Sequence, residues 1–469
     1  MIQTDICVIG AGSGGLSVAA GAVQMGARVV LIEAGEMGGD CLNTGCVPSK
    51  ALIAAAKAAE AQRRGFAGIA SVEPKIDYAA VKDHVAAVIA EIAPVDSQER
   101  FEGLGCMVIR AFARFTSPRE VEAGGQVIRA RRFVIATGSR PFVPQIMGVE
   151  TTPFLTNETI FTLRQRPDHL LVIGGGPIGM ELAQAHRRLG SEVTVIEAGR
   201  ALGREDPDLA ALLVGHLQSE GIRILEGQPV VRLTGTEGAV EVTLGDGTLV
   251  KGTHLLMAVG RKVSLEGMGL DKAGVAFTAK GVTVNDRLRS TNRRVYAVGD
   301  AAGGLQFTHV AGWHAGIIIR QAVLGLPARA RSDAIPRVTY TEPELAHVGL
   351  GEVEARARHG AALSVHGIDF AHNDRAQAEG KTKGMIKLMV VKGRPVGVSI
   401  LGPQAGELIG LWSLAISARL KLSAIAGTVL PYPTLGEISK RAAGAYFSPK
   451  LFASPVLKRV VRLVQRLIP

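Results

Sequence analysis

Two stretches of the chain repeat a single pattern of apolar and polar positions. Residues 7–35, CVIGAGSGGLSVAAGAVQMGARVVLIEAG, pass from an apolar run through closely spaced glycines and an alanine-rich segment to a second apolar run closed by an acid. Residues 171–199, LVIGGGPIGMELAQAHRRLGSEVTVIEAG, copy it at a constant offset of 164 residues. Gly10, Gly12 and Gly15 recur as Gly174, Gly176 and Gly179, Gly26 as Gly190, and Glu33 as Glu197. Each copy predicts strand, glycine turn, helix, strand and acid. Two further apolar runs, RRFVIATG followed by SRP and RRVYAVGDAA over 293–302, predict strands that end in turns, the second placing Asp300 at a strand end. The tail SPVLKRVVRLVQRLIP (454–469) has helical spacing, with Leu457, Val460, Val461, Val464, Leu467 and Ile468 on one face. Lys458, Arg459, Arg462, Gln465 and Arg466 share the other.

Composition narrows this picture. A chain of 469 residues exceeds one core, so two to four domains are expected. With 47% hydrophobic residues and 58 glycines it reads as globular and rich in tight turns. No apolar run reaches the roughly 18 residues of a membrane span. No secretory signal precedes the first strand, which points to the cytoplasm. The formal charge of +11 is scattered, aromatics are 4%, and no nucleic-acid motif is present, so nucleic acid is not an expected partner. A positive field suits anionic dinucleotides equally well.

The repeated motif has a physical reading. The first glycine makes the turn after the strand, the second lets backbone approach a pyrophosphate, and the third permits close helix–strand packing. The helix N-terminus faces the anion, and the acid, 18 residues beyond the last glycine in both copies, suits a ribose diol. One such motif is weak evidence; two with matched offset and acids predict two bound dinucleotides. The stretch GDCLNTGCVPSK (39–50) adds chemistry, because the chain has only four cysteines and two of them, Cys41 and Cys46, stand here. A helix over 40–60 makes Cys46 and Lys50 i, i+4 neighbours, so the ammonium and the helix N-terminus both favour a thiolate. In a reducing compartment such a pair is redox-active or metal-binding. No second Cys/His pair at ligand spacing completes a zinc site, and no metal is expected. Cys7 and Cys106 lie in apolar runs and read as core.

Taken together, GGDCLNTGCVPSK, the paired glycine motifs and AVGDAAGG resemble the pyridine nucleotide-disulfide oxidoreductases: dihydrolipoamide dehydrogenase, glutathione reductase and mercuric reductase. The resemblance runs from Asp5 to about Phe452. It implies an α/β fold with two Rossmann-like dinucleotide-binding domains, one for FAD and one for NAD(P), plus a C-terminal α+β dimerisation domain and hence a homodimer. The implied segments are 1–149 and 263–334 for FAD, 150–262 for the nicotinamide, 335–452 for the interface, and 453–469 as a basic amphipathic tail. FAD contacts fall on Gly10, Gly12, Ser13, Gly14, Gly15, Glu33, Ala34, Gly39 and Lys50. Ala113, Thr137, Gly138, Ser139, Gly299, Asp300 and Thr308 complete that set. The nicotinamide cofactor falls to Gly174, Gly176, Pro177, Ile178, Gly179, Glu197, Val230, Gly260 and Arg261. The resemblance also implies that Cys46 lies against the flavin, that Cys41 exchanges with substrate, and that Lys50 pairs with Glu181.

Glu197 favours the free 2′-hydroxyl of NADH, although Arg200 and Arg204 leave room for NADPH. One departure matters more. Disulfide-reducing members carry His-Pro-Thr-x-x-Glu, whose histidine, from the partner subunit, handles the thiol proton. Here the run is PYPTLGE, with Tyr432 in the histidine position and Glu437 retained. A tyrosine, with pKa about 10, is a poor base at neutral pH. Mercuric reductases share the tyrosine. No cysteine follows Cys106, however, and no metal-carrying domain precedes the first strand, so efficient mercuric reduction is not expected. The reading is an FAD-dependent NAD(P)H oxidoreductase acting through a Cys41–Cys46 disulfide on a small disulfide, quinone or similar acceptor. The alternatives are a metal-ion reductase and a redox-sensing flavoprotein without turnover. The tail, with +4 of the net charge, either packs on the dimerisation domain or makes peripheral contact with the inner membrane surface.

Overall fold

The computed structural model describes residues 1–468, which form two compact units. The first comprises Met1–Gly199 and Gly221–Arg331, the second Arg200–Glu220 and the chain from Ser332 onward. In the first unit a seven-stranded sheet has Ile2–Ile9 at its centre, parallel to Val29–Glu33 on one side and to Gln126–Ile135 on the other. The ten-residue strand Gln126–Ile135 changes partners along its length. Its first half pairs antiparallel with Glu120–Ala123, while Phe133–Ile135 pairs parallel with Val295–Ala297.

The unbroken apolar runs follow from burial on both sides. Cys7 and Ile9 enter one core with Phe115 and Phe133, whereas Ile6 and Val8 enter another with Phe101 and Tyr296. Cys106 packs in that second core. The second glycine motif builds a four-stranded parallel sheet, ordered Arg223–Leu225, Glu192–Ile196, His169–Ile173, His254–Met257. A three-stranded antiparallel sheet over Val230–Gly252 accompanies it.

The second unit holds five antiparallel strands, Arg337–Thr339, Glu344–Gly349, Arg394–Gly402, Met385–Val391 and Leu363–Asp369, in that order. The helix Ala405–Ser417 covers the sheet with Trp412, fully buried, its Nε1 donating to Ser439 Oγ at 3.1 Å. Residues 200–220 join this unit through charge: Lys387 Nζ meets Asp206, Asp208 and Glu352 at 3.0, 2.8 and 2.6 Å. The tail is a helix, Pro455–Leu467, and none of its residues is buried. Among the described residues no helix is long and apolar enough to cross a membrane.

Candidate active site

The two glycine motifs have the same geometry. Gly10 and Gly174 adopt φ of +108° and +110°, and a Cβ on either would strike the end of the neighbouring strand, Ala136 O at 2.3 Å or Ala258 O at 2.4 Å. Gly15 and Gly179 allow each helix to close on the first glycine's carbonyl, which a Cβ would meet at 1.8 and 2.0 Å. The second glycines behave differently. A Cβ on Gly12 finds nothing nearer than Gly39 Cα at 4.0 Å, and on Gly176 nothing within 4 Å. That space lies at the starts of the helices Ser13–Gln24 and Pro177–Arg188, where backbone N–H groups favour a phosphate.

The acids repeat as well. Glu33 accepts from the N–H of Ala11 at 2.5 Å and of Gly35 at 2.6 Å, while Glu197 accepts from Gly175 at 2.7 Å and Gly199 at 2.8 Å. Each carboxylate is thereby fixed beside its glycine turn with lone pairs left for a sugar diol. Ala34 follows Glu33 at the strand end, and Ile178, partly exposed, sits beside Pro177 in the second helix's first turn. Ala113 and Val230 open the strands Ala113–Ser117 and Val230–Thr236.

Residues 39–64 are not one helix. A short helix, Gly39–Asn43, carries Cys41, and a second, Cys46–Arg64, starts at the other cysteine. The break falls at Gly45, where a Cβ would collide with the Asp40 carbonyl at 2.9 Å. Cys46 therefore sits at a helix N-terminus and keeps its i, i+4 relation to Lys50. Its Sγ lies 3.3 Å from Thr308 Oγ1, the first residue of another helix, Thr308–Ile318. The two thiols divide their roles. The Cys41 thiol donates to the Cys46 sulfur, and this bond, with Thr308 and the Lys50 charge, lowers Cys46 to about 6. Cys41 is pushed up by the same bond, by burial and by the neighbouring charge. Both shifts act in one direction, toward charge on Cys46 and the proton on Cys41. Lys50 Nζ donates to Glu181 Oε2 at 2.7 Å.

A polar chain extends from the cysteine loop. Asp40 accepts from Thr44 Oγ1 and Asn157 Nδ2, both at 2.9 Å, and pairs with Arg261 at 3.2 Å. Arg261 Nε donates to Ser139 Oγ at 2.7 Å, and Ser139 Oγ donates to Asp300 Oδ2 at 2.5 Å. Burial raises the Asp300 carboxyl above its ordinary value. Nearby in sequence, Gly138 O accepts from Ser264 N, Gly260 O from Phe142 N, and Gly299 N donates to His314 Nδ1. Thr137 Oγ1 is buried with no hydrogen-bond partner among the described residues. This orphaned hydroxyl and the open space at Gly12 fit a bound flavin nucleotide. The pairing of Asp40 with Asn157 was not legible in sequence; they stand 117 residues apart, and Asn157 belongs to no motif.

Tyr432 and Glu437 belong to the second unit. Tyr432 is 70% exposed, and its hydroxyl donates to Asp374 Oδ2 at 3.1 Å. That bond and the carboxylate charge raise its pKa further. Glu437 opens the helix Glu437–Ala445 and accepts from Thr434 N at 3.4 Å. Asp374 is a further residue that sequence reasoning missed.

The chain has relatives of known family. Residues 4–315 match the pyridine nucleotide-disulphide oxidoreductase family, and residues 335–443 match that family's dimerisation domain. The chain belongs to this family: it is an FAD-dependent NAD(P)H oxidoreductase, and its dimerisation domain supports a homodimer. It is 34% identical to a mercuric reductase of Streptomyces lividans, over 95% of this chain and 96% of that one. It is 36% identical to a dihydrolipoyl dehydrogenase of Thermus scotoductus, over 94% and 97%. Among solved structures, the HOCl-induced flavoprotein disulfide reductase RclA of Escherichia coli superposes with a TM-score of 0.84 at 28% identity, covering 94% of this chain and 99% of RclA. The S. lividans relative is matched almost end to end, so a chain of this extent can carry the name mercuric reductase.

Proposed function

We propose that Cys41 and Cys46 are the redox dithiol, that NADH is the preferred donor, and that the acceptor is a small disulfide, quinone or similar molecule. The observation that carries this reading is the divided pair: a Cys46 thiolate held by a helix N-terminus, Thr308 and Lys50, beside a protonated Cys41. Bound FAD supplies hydride acceptance and electron transfer. Glycine turns, Glu33 and Glu197 hold the two nucleotides; Lys50, Glu181 and Thr308 keep the thiolate in place. With an acceptor R–S–S–R, Cys41 loses its proton and attacks one sulfur, and the departing thiolate takes up a proton to leave as R–SH. The Cys46 thiolate then attacks Cys41 Sγ in the mixed disulfide, expelling the second R–S⁻ and closing the Cys41–Cys46 bond.

Residues 1–149 with 263–334 would hold FAD, 150–262 the nicotinamide and 335–452 the dimer interface. Free, sparse cysteines suit a cytoplasmic site of action. NADH follows from the carboxylate of Glu197, which repels a 2′-phosphate.

A metal-ion reductase is the second reading, favoured by the mercuric reductase relatives and by Tyr432, and consistent with RclA having been solved as a Cu(II) complex. Soft ions bind thiolates of this kind. The test is NADH oxidation against lipoamide, glutathione disulfide, quinones, Hg²⁺ and Cu²⁺, in wild type and in Cys41→Ser. Loss of turnover with the best disulfide or metal acceptor in the variant supports the dithiol. Undiminished turnover with that acceptor would overturn it.

A further inference from the structure

The helix Pro455–Leu467 has its own N-cap, Ser454, whose Oγ accepts from Leu457 N at 3.2 Å. Its apolar residues are nevertheless left uncovered by the rest of their own chain: Val460 is 49% exposed, Leu463 57% and Leu467 71%. At 3.6 residues per turn the positions from Val456 to Leu467 that carry Val or Leu fill an arc of about 160°. Lys458, Arg459, Arg462 and Arg466 occupy the opposite side. Just upstream, Leu451 and Phe452 are also exposed, next in sequence to Lys450. No aspartate or glutamate occurs after Glu437.

A bare amphipathic helix of this length is marginal alone in water, so its apolar side requires a cover. The sign of the polar side identifies that cover. A protein surface packed on the apolar arc would leave the other arc in solvent and make no demand on its charge. A bilayer interface makes demands on both at once: apolar side chains enter the headgroup–acyl boundary while cations meet anionic lipid. This segment offers cations alone on its polar face. We propose that Pro455–Leu467 is a reversible anchor that lies in the interface of an anionic phospholipid membrane. A homodimer presents two such helices, and their combined attachment far exceeds that of either one.

The test uses the FAD-loaded full chain and vesicles of phosphatidylcholine, with and without phosphatidylglycerol, at low and moderate salt. Four proteins are compared: the wild type, a chain ending at Ala453, Arg459→Ala/Arg462→Ala and Val460→Asp/Val464→Asp. The wild type sediments with the anionic vesicles and is released by salt. Each helix of the double arginine variant binds about thirtyfold more weakly and the dimer by more than that, and the truncated and aspartate forms stay in the supernatant. All four remain dimers by sedimentation velocity and oxidise NADH at the same rate, so the site's assignment does not depend on the result. Equal sedimentation of full and truncated chains overturns the proposal. So does dissociation of the truncated dimer without any vesicle binding by the wild type, which would make the helix a subunit contact.

Discussion

Lys50 Nζ and Glu181 Oε2 lie 2.7 Å apart, joining the helix that starts at Cys46 to the helix that starts at Pro177. One ion pair thus ties the cysteine end of the site to the second glycine motif. The carboxylate is buried and the ammonium partly exposed. Removing the ammonium leaves a buried acid short of a partner, which costs more than a surface pair would.

Lys50→Met is therefore expected to retain FAD but to destabilise the protein by about 1–3 kcal/mol, read as a thermal midpoint lower by a few degrees. Turnover of NADH should fall by about tenfold or more, one decade for each ~1.4 kcal/mol of lost alignment. Lys50→Arg should keep part of both. Wild-type turnover in Lys50→Met would remove the lysine from the machinery.

The thiolate makes a pH prediction with a definite sign. Cys46 is lowered to about 6, so its thiolate persists above that value and is lost as pH falls through it. In reduced enzyme, alkylation of Cys46 by iodoacetamide should have a midpoint near 6, below the ordinary thiol value of about 8.5. Cys41→Ala removes the largest cause, the donated S–H, and should move the midpoint upward. Thr308→Val should do so by less. A midpoint in the ordinary thiol range in the wild type would contradict the division of roles between the cysteines.

The glycines separate folding from binding. A side chain on Gly15 would collide with the Gly10 carbonyl, so Gly15→Val should fail to fold. Gly12 has an ordinary φ of −79° and open space around it, so Gly12→Val should keep the far-ultraviolet spectrum of the wild type while losing FAD. Stoichiometric FAD in purified Gly12→Val would show that the open space is not where the pyrophosphate lies.

These glycines explain how much could be read from sequence alone. Turn geometry and close approach are local demands met by one residue type, so Gly10, Gly15 and their counterparts announce themselves. The i, i+4 relation of Cys46 to Lys50 is local too. The break at Gly45 was missed because one helix over 40–60 already accounted for the i, i+4 relation of Cys46 to Lys50, while the close approach of the Asp40 carbonyl to Gly45 is a packing contact with no periodic signal. The chain Asp40–Arg261–Ser139–Asp300 joins four separate segments, with Arg261 and Ser139 separated by 122 residues. No periodicity encodes such a meeting. The same holds for Asp374, which stands 58 residues from Tyr432.

Asp374 sharpens the prediction for Tyr432. The tyrosine hydroxyl donates to Asp374, and the carboxylates of Asp374 and Glu437 both hold its pKa above the ordinary value of about 10. At neutral pH this group can donate a hydrogen bond but cannot take up a proton. Disulfide interchange requires Cys41 to lose its proton, and an aligned base contributes about 10²–10⁴ in rate. A histidine here would stand beside the same two carboxylates, which raise an imidazole from about 6.5 toward neutrality. Tyr432→His should therefore increase kcat/KM for lipoamide or glutathione disulfide by about tenfold or more. Reduction of a quinone taking electrons directly from the flavin should be unchanged, since no thiol proton is then removed. Tyr432→Phe separates the base from the side chain's bulk and should leave disulfide reduction as slow as in the wild type. Unchanged rates with both disulfides in Tyr432→His would show that proton removal from Cys41 does not limit this enzyme.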